Sequence, residues 1–347
     1  SLSGGLDSSS IVGIMQQLNT IPIKTFSAVF PDFEKDESKY IKEVAEKFHT
    51  ESFCISPTAD DLVSDVEKLI YFQEEPFQSF SIYAQYKVYQ LAKIRNVTVI
   101  LDGQGADETL AGYDYYHWYW QELLANRNFK QVKKERREAK QLDIKTNWTH
   151  KNYLAACMPE IAAIKLKKNA VKEQKNQPDI TEDFLQHNID KHSLVKPVVR
   201  KLNDILYFNT CQLGLSELLR YADRNSMAHG REVRLPFLNH ELVQFVFSLP
   251  ASFKIHHGWS KWILRESMEN ILPLSITWRK DKIGYEPPQK QWIQHQKVQD
   301  LIYASKEKLV KEKILKKNVL EKSVIAQNAH DKNNFDFRYL CAAMILK

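Results

Sequence analysis

The first hundred residues alternate between short apolar segments and amphipathic ones, and this alternation constrains the fold more than any other feature of the chain. Strands are predicted at Thr25–Phe30, Ser52–Ile55 and Val97–Leu101. The last is a continuous apolar run rich in β-branched residues, which is typical of a buried parallel strand. Helices are predicted at about Ser8–Leu18, Glu37–Phe48, Ala59–Ile70 and Ile82–Ile94. Strands that alternate with helices of this length indicate an α/β fold with a doubly wound parallel sheet.

Beyond Leu101 the periodicity is helical and shows no convincing strand. Further helices are predicted at about Val195–Asn209, Leu215–Ala222, Glu241–Ser248 and Ser260–Asn270. The polar stretch from Lys165 to Asp190 is predicted to be a surface connection. We therefore expect an α/β lobe over residues 1–115, followed by a mainly helical C-terminal lobe over residues 116–347.

The composition excludes several classes of protein. A chain of 347 residues, 43% of them hydrophobic, can bury a substantial core. Its four cysteines are far apart and form no Cys-x-x-Cys pair, which argues against a zinc ribbon, a redox motif or a disulfide framework: Cys54, Cys157, Cys211 and Cys341. No apolar run approaches the roughly 20 residues needed to cross a bilayer. A cytoplasmic protein without a membrane partner is expected.

The charge of the chain is mildly positive, with 49 basic and 43 acidic residues and a net charge of +6. Basic residues concentrate at Lys130–Lys145 and Lys165–Lys175, and such runs form either a nucleic-acid surface or a solvated helix face. Acidic and polar residues interrupt both runs, and the aromatic residues of a base-stacking platform are missing from them. We favour solvated faces and expect no nucleic-acid partner.

The first motif lies where a strand end meets a helix start, and residues 2–9 read Leu-Ser-Gly-Gly-Leu-Asp-Ser-Ser. Two consecutive glycines leave backbone N–H groups uncovered. Together with the hydroxyls of Ser3, Ser8 and Ser9 they are expected to converge on the positive end of the following helix, which suits phosphate or pyrophosphate. Asp7 in such a cradle requires a bridging cation, which suggests Mg²⁺. A purely structural turn is the alternative, and the Walker pattern is absent.

The second motif follows the strand that ends at Leu101, and residues 101–108 read Leu-Asp-Gly-Gln-Gly-Ala-Asp-Glu. Ligands of open α/β sheets bind outside the carboxyl ends of the strands, so this loop is expected to share a cleft with the first motif. Asp107 and Glu108 at a helix start would also serve as plain N-terminal caps, worth about 1 kcal/mol. Beside the first motif, Asp107 is interpreted as a second contact to Mg²⁺ and pyrophosphate.

Two later segments complete a resemblance. They are residues 220–238 and residues 260–266, the latter followed by Trp-Arg-Lys at positions 278–280. The first motif resembles the PP-loop of ATP pyrophosphatases, and all four segments in this order resemble the synthetase domain of asparagine synthetases and their relatives, including the β-lactam synthetases. The resemblance covers essentially the whole chain, although residues 115–201 offer little to match.

The resemblance implies a carbon–nitrogen ligase that uses ATP and Mg²⁺. A carboxylate, aspartate in the first instance, attacks the α-phosphorus of ATP, pyrophosphate leaves, and ammonia displaces AMP to give the amide. The residues that the resemblance assigns to pyrophosphate and Mg²⁺ are Ser3, Gly4, Gly5, Asp7 and Ser8, with Asp107 as the second metal contact. It further implies backbone contacts to adenine from Leu2 and Ala28, and an approach to the nucleotide by Asp102 and Gly103.

The catalytic residues implied by the resemblance are Lys261, Asp107 and Glu232. A cation at Lys261 would neutralise charge that develops on the phosphates in the transition state, whereas a solvated helix lysine is the alternative. Glu232 either orients the substrate or forms a structural ion pair with Arg234. Arg265 and Arg279 are weaker assignments.

The second motif departs from the family pattern, which usually reads Ser-Gly-Glu-Gly-Ser-Asp-Glu. Here Asp102 replaces the first serine and Gln104 the glutamate, and glutamine preserves the shape but not the negative charge. We place Gln104 and Glu108 at the acceptor substrate, which is either aspartate or another carboxylate such as a sugar acid, a peptide or a β-amino acid. A different PP-loop ATPase and a non-catalytic binding module are the remaining alternatives.

The partners expected from the resemblance are a small-molecule carboxylate and ammonia. Family members carry an N-terminal glutaminase domain that starts with a nucleophilic cysteine, whereas Ser1 leads straight into the PP-loop. The glutaminase domain is therefore expected to be missing from this chain. A homodimer is left open.

Overall fold

A computed structural model describes residues 1–18, 21–144, 146, 148–188, 197–281 and 286–346. The described strands are β1 (Lys24–Ala28), β2 (Glu51–Ile55), β3 (Val99–Leu101), β4 (Glu232–Arg234), β5 (Ile255–His256) and β6 (Trp259–Ser260). The helices of the first part are α1 (Leu6–Leu18), α2 (Ser38–Lys47), α3 (Ala59–Gln73), α4 (Ser81–Ile94) and α5 (Ala106–Thr109). The chain thus combines small sheets with many helices, which confirms the mixed α/β class.

The remaining part of the described chain is mainly helical. Its helices are α6 (Tyr116–Ala125), α7 (Phe129–Gln141), α8 (His150–Cys157), α9 (Pro159–Lys175), α10 (Glu182–Asn188), α11 (Leu202–Cys211), α12 (Leu215–Met227), α13 (His240–Ser248), α14 (Trp262–Met268), α15 (Leu274–Thr277), α16 (Gln289–Gln294), α17 (Gln296–Lys311) and α18 (Phe335–Ile345). Short 3₁₀ helices occur at Pro236–Leu238, Ala251–Phe253 and Lys317–Glu321. None of the described helices is both long and apolar enough to cross a membrane.

The central strands pair in parallel and place the first motif between them. β1 pairs with β2, and β3 pairs with β4. Residues 1 and 2 lie between the two pairs, because the Leu2 N–H donates to the Phe26 carbonyl (2.9 Å) and the Ser1 nitrogen to the Leu101 carbonyl (2.6 Å). The PP-loop therefore starts between the carboxyl ends of β1 and β3. The assigned strands form three two-stranded sheets, so the doubly wound sheet stays a prediction.

Two sequence-based expectations about the second half of the chain are wrong. Strands do occur beyond Leu101, and β4 was missed because its three residues, Glu-Val-Arg, offer no apolar run. The stretch from Lys165 to Asp190 is largely helical rather than a connection, since it contains the end of α9 and all of α10. Pro159 occupies the first turn of α9, a position that proline favours. Three residues at the ends of predicted segments lie outside the described residues: Lys145, Asp190 and Val195.

Local sequence explains where the long helix α3 begins and ends. The Thr58 hydroxyl accepts the Asp61 N–H (3.2 Å), and the Asp61 carboxylate accepts the Thr58 N–H (2.9 Å). This reciprocal capping box satisfies two backbone donors that the first helical turn leaves without partners. The helix ends at Glu74, whose left-handed backbone (φ 59°) turns the chain away.

The buried core joins residues from both halves of the chain. One cluster holds Phe80, Trp292 and Phe337, with the rings of Phe80 and Phe337 4.7 Å apart. A second cluster joins Leu2 and Ile41 to residues near the C-terminal motifs such as Leu264 and Ile276. The second cluster lies beneath the PP-loop and holds the N-terminal and C-terminal motifs together. The boundary at residue 115 stays a prediction.

Candidate active site

The PP-loop is a tight turn that requires glycine. Gly4 has φ +75°, and a Cβ at this position would lie 2.7 Å from the Tyr40 Cβ, so no larger residue fits. The Ser8 hydroxyl accepts the Ser3 N–H (3.2 Å), and the two hydroxyls lie 3.2 Å apart. Helix α1 begins within this turn and adds its N-terminal N–H groups. The local structure is therefore suited to an anion, as the sequence predicts.

The second loop packs directly against the first. A Cβ on Gly103 would lie 3.0 Å from the Asp7 Cβ and 3.1 Å from the Ser8 nitrogen. Gly105, with φ +92°, is equally confined, because a Cβ there would lie 2.3 Å from a methyl group of Leu238. Leu238 ends the segment of residues 220–238 that the resemblance singled out, so this segment shapes the second loop. The two glycine turns line one cleft because neither carries a side chain that would separate them.

Three charged side chains from distant parts of the chain meet in this cleft. The Lys261 Nζ lies 2.7 and 2.5 Å from the two carboxylate oxygens of Asp7, and 2.5 Å from the Asp107 Oδ1. Lys261 is only 5% exposed. Burial lowers the pKa of Lys261, but the Asp107 and Asp7 carboxylates outweigh burial and hold it above its usual range. Lys261 therefore stays protonated at neutral pH.

The backbone around the lysine is adapted to this contact. A Cβ on Gly112 would lie 1.8 Å from the Asp107 Oδ1 and 2.2 Å from the Lys261 Cε. Lys261 itself has a left-handed backbone (φ 54°) at the start of α14, which is uncommon for a residue with a side chain. Such strain persists only where the surroundings impose it.

The donor set fits Mg²⁺ bound together with phosphates. Asp7 and Asp107 carry two negative charges against the one positive charge of Lys261, and carboxylate oxygens are ligands that Mg²⁺ prefers. In the described part of the chain there is no group of three or more His, Cys, Asp or Glu side chains that could hold a metal. Mg²⁺ commonly takes one or two protein carboxylates and completes its shell with phosphate oxygens and water, which is what this pair allows.

A cavity of about 1120 Å³ opens above these residues. Most of the residues that the sequence assigns to the site line it: Leu2, Ser3, Gly5, Asp7, Ser8, Asp102, Gly103, Gln104, Asp107 and Lys261. The Asp102 carboxylate accepts the Gly103 N–H (2.7 Å) and the Tyr89 hydroxyl (3.2 Å). The volume is slightly above the roughly 300–1,000 Å³ typical of pockets for drug-sized ligands.

Four assigned residues do not line the cavity. Gly4 lies under the loop against Tyr40, and Ala28 ends β1. Glu108 is 4% exposed and accepts the hydroxyl of Tyr113, a lining residue, at 2.6 Å. Glu232 lies on β4 with its side chain 53% exposed and pairs with Arg234 at 2.7 Å. The geometry of Glu232 fits a structural ion pair better than a catalytic group.

Gln104 lines the cavity and carries an acceptor atom without a partner in the described part of the chain. Its Oε1 is buried and has no hydrogen-bond partner among the described residues. Buried polar atoms are nearly always hydrogen-bonded, and an exception calls for a ligand or a water. A bound donor at the cavity wall would satisfy this oxygen.

A second cation, Arg279, lies beside the PP-loop and is more closely tied to the cavity than its weak assignment from the sequence suggested. The Arg279 guanidinium lines the cavity, donates to Glu37 (2.7 Å) and lies 3.8 Å from the centre of the Tyr40 ring. Burial raises the pKa of Glu37 to about 7, and Arg279 opposes part of this shift. The Trp-Arg-Lys motif was the available signal for Arg279, whereas nothing in the sequence distinguishes Glu37 from other helix-start acids.

The comparisons with known proteins agree with this geometry. Residues 1–346 match the asparagine synthase family, so the chain belongs to that family, whose synthetase domain is of the PP-loop class. The chain is 26% identical over 323 residues to asparagine synthetase (glutamine-hydrolysing) 1 of Bacillus subtilis, covering 85% of this chain and 47% of that protein. The asparagine synthetase (glutamine-hydrolysing) of Gallus gallus is 27% identical over 290 residues, covering 80% of this chain and 37% of that protein.

The matches cover most of this chain but less than half of each relative. A putative asparagine synthetase (glutamine-hydrolysing) of Mycobacterium tuberculosis is 25% identical over 318 residues, which are 88% of this chain and 47% of that protein. The chain thus spans less than half the length of these curated relatives. Asparagine synthetases are ATP-using ligases that form carbon–nitrogen bonds, and the chain is a member of this ligase family.

Proposed function

We propose that the chain is an ATP-dependent amide synthetase, which adenylates a carboxylate with release of pyrophosphate and then forms an amide from ammonia with release of AMP. The observation that carries this proposal is the placement of Lys261 between Asp7 and Asp107, at the junction of two glycine turns. Such a junction binds phosphates, and a preorganised ammonium there stabilises the charge that develops on them in the transition state.

The residues around the ion triad of Asp7, Asp107 and Lys261 have complementary roles in this proposal. Ser3, Gly5 and Ser8 bind the pyrophosphate portion of ATP with N–H and hydroxyl donors, and Arg279 adds a second cation at the same end of the cavity. Asp7 and Asp107 hold Mg²⁺, which would neutralise phosphate charge when bound. Leu2, Ala28, Asp102 and Gly103 are proposed to contact the nucleoside. Lys261 stays charged throughout because both carboxylates favour its ammonium form.

The acceptor end of the cavity is proposed to bind a small carboxylic acid. Gln104 lines it, and its buried amide oxygen has no hydrogen-bond partner among the described residues. We propose that this oxygen accepts a hydrogen bond from an ammonium or hydroxyl group of the acid, although it supplies no negative charge. Aspartate fits the family, and an acid that presents a hydroxyl instead of an ammonium fits the amide equally well.

The names of the relatives include glutamine hydrolysis, and the chain covers less than half of their length. We propose that the residues described here make the amide from free ammonia and that the hydrolysis of glutamine resides elsewhere. Aspartate with ammonium chloride should therefore support product formation by this chain, whereas aspartate with glutamine alone should not.

The direct test is the exchange of radiolabelled pyrophosphate into ATP, with a panel of amino, sugar and peptide acids. Exchange that requires both Mg²⁺ and one of the acids is expected, with AMP and an amide as products once ammonium is added. Calorimetry with Mg²⁺·ATP is the parallel measurement. Nucleotide binding without exchange for any acid in the panel would reject the ligase and leave a nucleotide-binding module.

A further inference from the structure

A two-stranded hairpin delivers the lysine to the cleft. β5 and β6 pair as Ile255 with Ser260 and His256 with Trp259, and Lys261 is the next residue. The two turn residues, His257 and Gly258, both have positive φ (51° and 74°), which is the geometry of the tightest hairpin turns. The position of the Lys261 backbone therefore depends on where this turn is held.

One buried carboxylate holds the turn. The Glu135 side chain on α7 is completely buried, and its two oxygens accept the backbone N–H groups of His257 (3.3 Å) and Gly258 (3.1 Å). The amide group of Gln131 adds a donor at 2.9 Å. A buried carboxylate is costly unless its oxygens are hydrogen-bonded, so these donors fix the position of the turn relative to α7.

Packing against the same helix, α7, reinforces this contact. A Cβ on Gly258 would lie 2.6 Å from the backbone nitrogen of Ala139, so the turn rests directly on the α7 backbone. At the other end of the hairpin the Ser260 carbonyl accepts the Arg265 Nε (2.8 Å), and the Trp262 N–H donates to the Lys254 carbonyl (3.0 Å). The hairpin is therefore fixed at both ends, and α7 provides the contact at its turn.

We propose that Glu135 is a positioning residue for Lys261, acting through the hairpin turn and touching neither ATP nor the acid. This inference rests on the proposed function. Neutralising Glu135 weakens the hold on the turn, and the hairpin then shifts the ammonium relative to Asp7 and Asp107. A displacement of about 1 Å is enough to lower a rate by roughly 100-fold, whereas ground-state binding of the nucleotide depends mainly on the glycine turns.

The experiment compares Glu135→Gln with Asp336→Asn in the same chain. Asp336 is a buried carboxylate outside the cavity, paired with Lys306 at 2.5 Å and accepting the Ile325 N–H at 2.7 Å, so its replacement reports the cost of losing a buried charge as such. For Glu135→Gln we expect kcat of pyrophosphate exchange to fall about 10-fold or more while KM for ATP changes less than about 3-fold. For Asp336→Asn we expect stability to fall with kcat unchanged.

A second measurement needs no turnover. Lys261 is 5% exposed, so a water-soluble reagent should acetylate it slowly in the wild type, as followed by mass spectrometry. The acetylation rate should rise in Glu135→Gln and should equal the wild-type rate in Asp336→Asn. Gly258→Ala, which forces the turn off Ala139, should reproduce both effects, and the double variant should add little to either single one because both act on one turn.

The outcomes separate the two proposals. If the wild type shows no exchange with any acid, the proposed function fails, and the acetylation of Lys261 still tests the positioning role. An acetylation rate of Glu135→Gln equal to that of the wild type, or a kcat loss shared equally by Asp336→Asn, would overturn the role of Glu135.

Discussion

At the scale of single residues, the site depends on an ion triad whose members the sequence identified separately but could not join. The two motifs indicated Asp7 and Asp107 as residues suited to phosphate chemistry, whereas Lys261 was assigned by the family resemblance alone. Their contacts at 2.5–2.7 Å come from the meeting of three chain segments, which no local pattern encodes. Glu232 illustrates the opposite case, since its position in a motif drew attention to it while its partner is the exposed Arg234.

The first prediction concerns the charge of Lys261. Lys261→Met keeps the length of the side chain but removes the ammonium, so pyrophosphate exchange should fall by about 10²–10³-fold, as for the loss of other preorganised transition-state contacts. Lys261→Arg keeps the charge in a planar fork that does not match the compact ammonium between Asp7 and Asp107, and should restore only part of the rate. Exchange assays on both variants provide the test, and a Met variant with the wild-type rate would contradict the prediction.

The second prediction concerns the space beside the triad. In Gly112→Ala the added methyl group would overlap the Asp107 carboxylate and the Lys261 side chain, so the triad must open and exchange should fall at least about 10-fold. Gly230→Ala is the control for a glycine replacement away from the cavity, because Gly230 has φ +62° and open space around it, whereas Gly112 has no positive φ. That control should lose about 1 kcal/mol of stability from backbone strain and keep its activity. Equal activity loss in both variants would show that a general loss of stability, not overlap with the triad, is responsible.

At the scale of secondary-structure elements, the sequence was most informative where the apolar pattern was long. The helices α3 and α4 were predicted from their amphipathic pattern, and the strand β3 from its continuous run of apolar, mostly β-branched residues. β4 was missed because its sequence, Glu-Val-Arg, has no strand pattern of its own. These residues form a strand because they pair in parallel with β3. The hairpin before Lys261 was missed for a related reason, since its two-residue strands are defined by their pairing with each other and are too short to show a pattern of their own.

The third prediction concerns the connection between α12 and β4, where His229 packs on α4. The His229 ring lies 4.3 Å from the Tyr86 ring, and burial lowers the pKa of His229 to about 4. Its neutral form is favoured in the folded state, so the resulting stability is complete above the unfolded pKa of about 6.5 and is lost as the pH falls toward 4. Between pH 7.5 and 5 the loss should be about 2 kcal/mol.

Urea unfolding at these two pH values tests this expectation. His229→Phe keeps an aromatic ring against Tyr86 without a titrating group and should remove about 2 kcal/mol of the pH dependence. His240→Phe, at an exposed position, should retain the wild-type dependence. An unchanged acid dependence in His229→Phe would assign the effect to other groups.

At the scale of the whole molecule, the core around α18 is separate from the cluster beneath the PP-loop. Phe337 on α18 contacts the rings of Phe80 (4.7 Å) and Phe77 (5.7 Å) in the first cluster, while Leu2 and Leu264 belong to the second. The sequence predicted the apolar faces of these helices but not which faces meet, because that choice depends on contacts between residues some 250 positions apart. Stability and catalysis should therefore be separable by mutation.

The fourth prediction tests this separation. Phe337→Ala leaves a cavity among aromatic rings and should lower the free energy of unfolding by about 3–5 kcal/mol. The exchange activity per folded molecule should stay within about 2-fold of the wild type at low temperature, because the triad adjoins the other cluster, which contains its neighbours Leu6 and Ala106. Chemical denaturation and exchange assays on one preparation provide both values. A large loss of kcat without a loss of stability would contradict the separation.

The distance along the chain between the members of the triad has a consequence for biosynthesis. Lys261 follows Asp7 by 254 residues, and ribosomes add about 5–20 residues per second. A growing polypeptide therefore carries the two acidic groups and the glycine turns for many seconds before the lysine is translated. Prematurely terminated products that end before position 261 lack the ammonium that joins the two acidic groups, so their pyrophosphate exchange should be at least as weak as that of Lys261→Met.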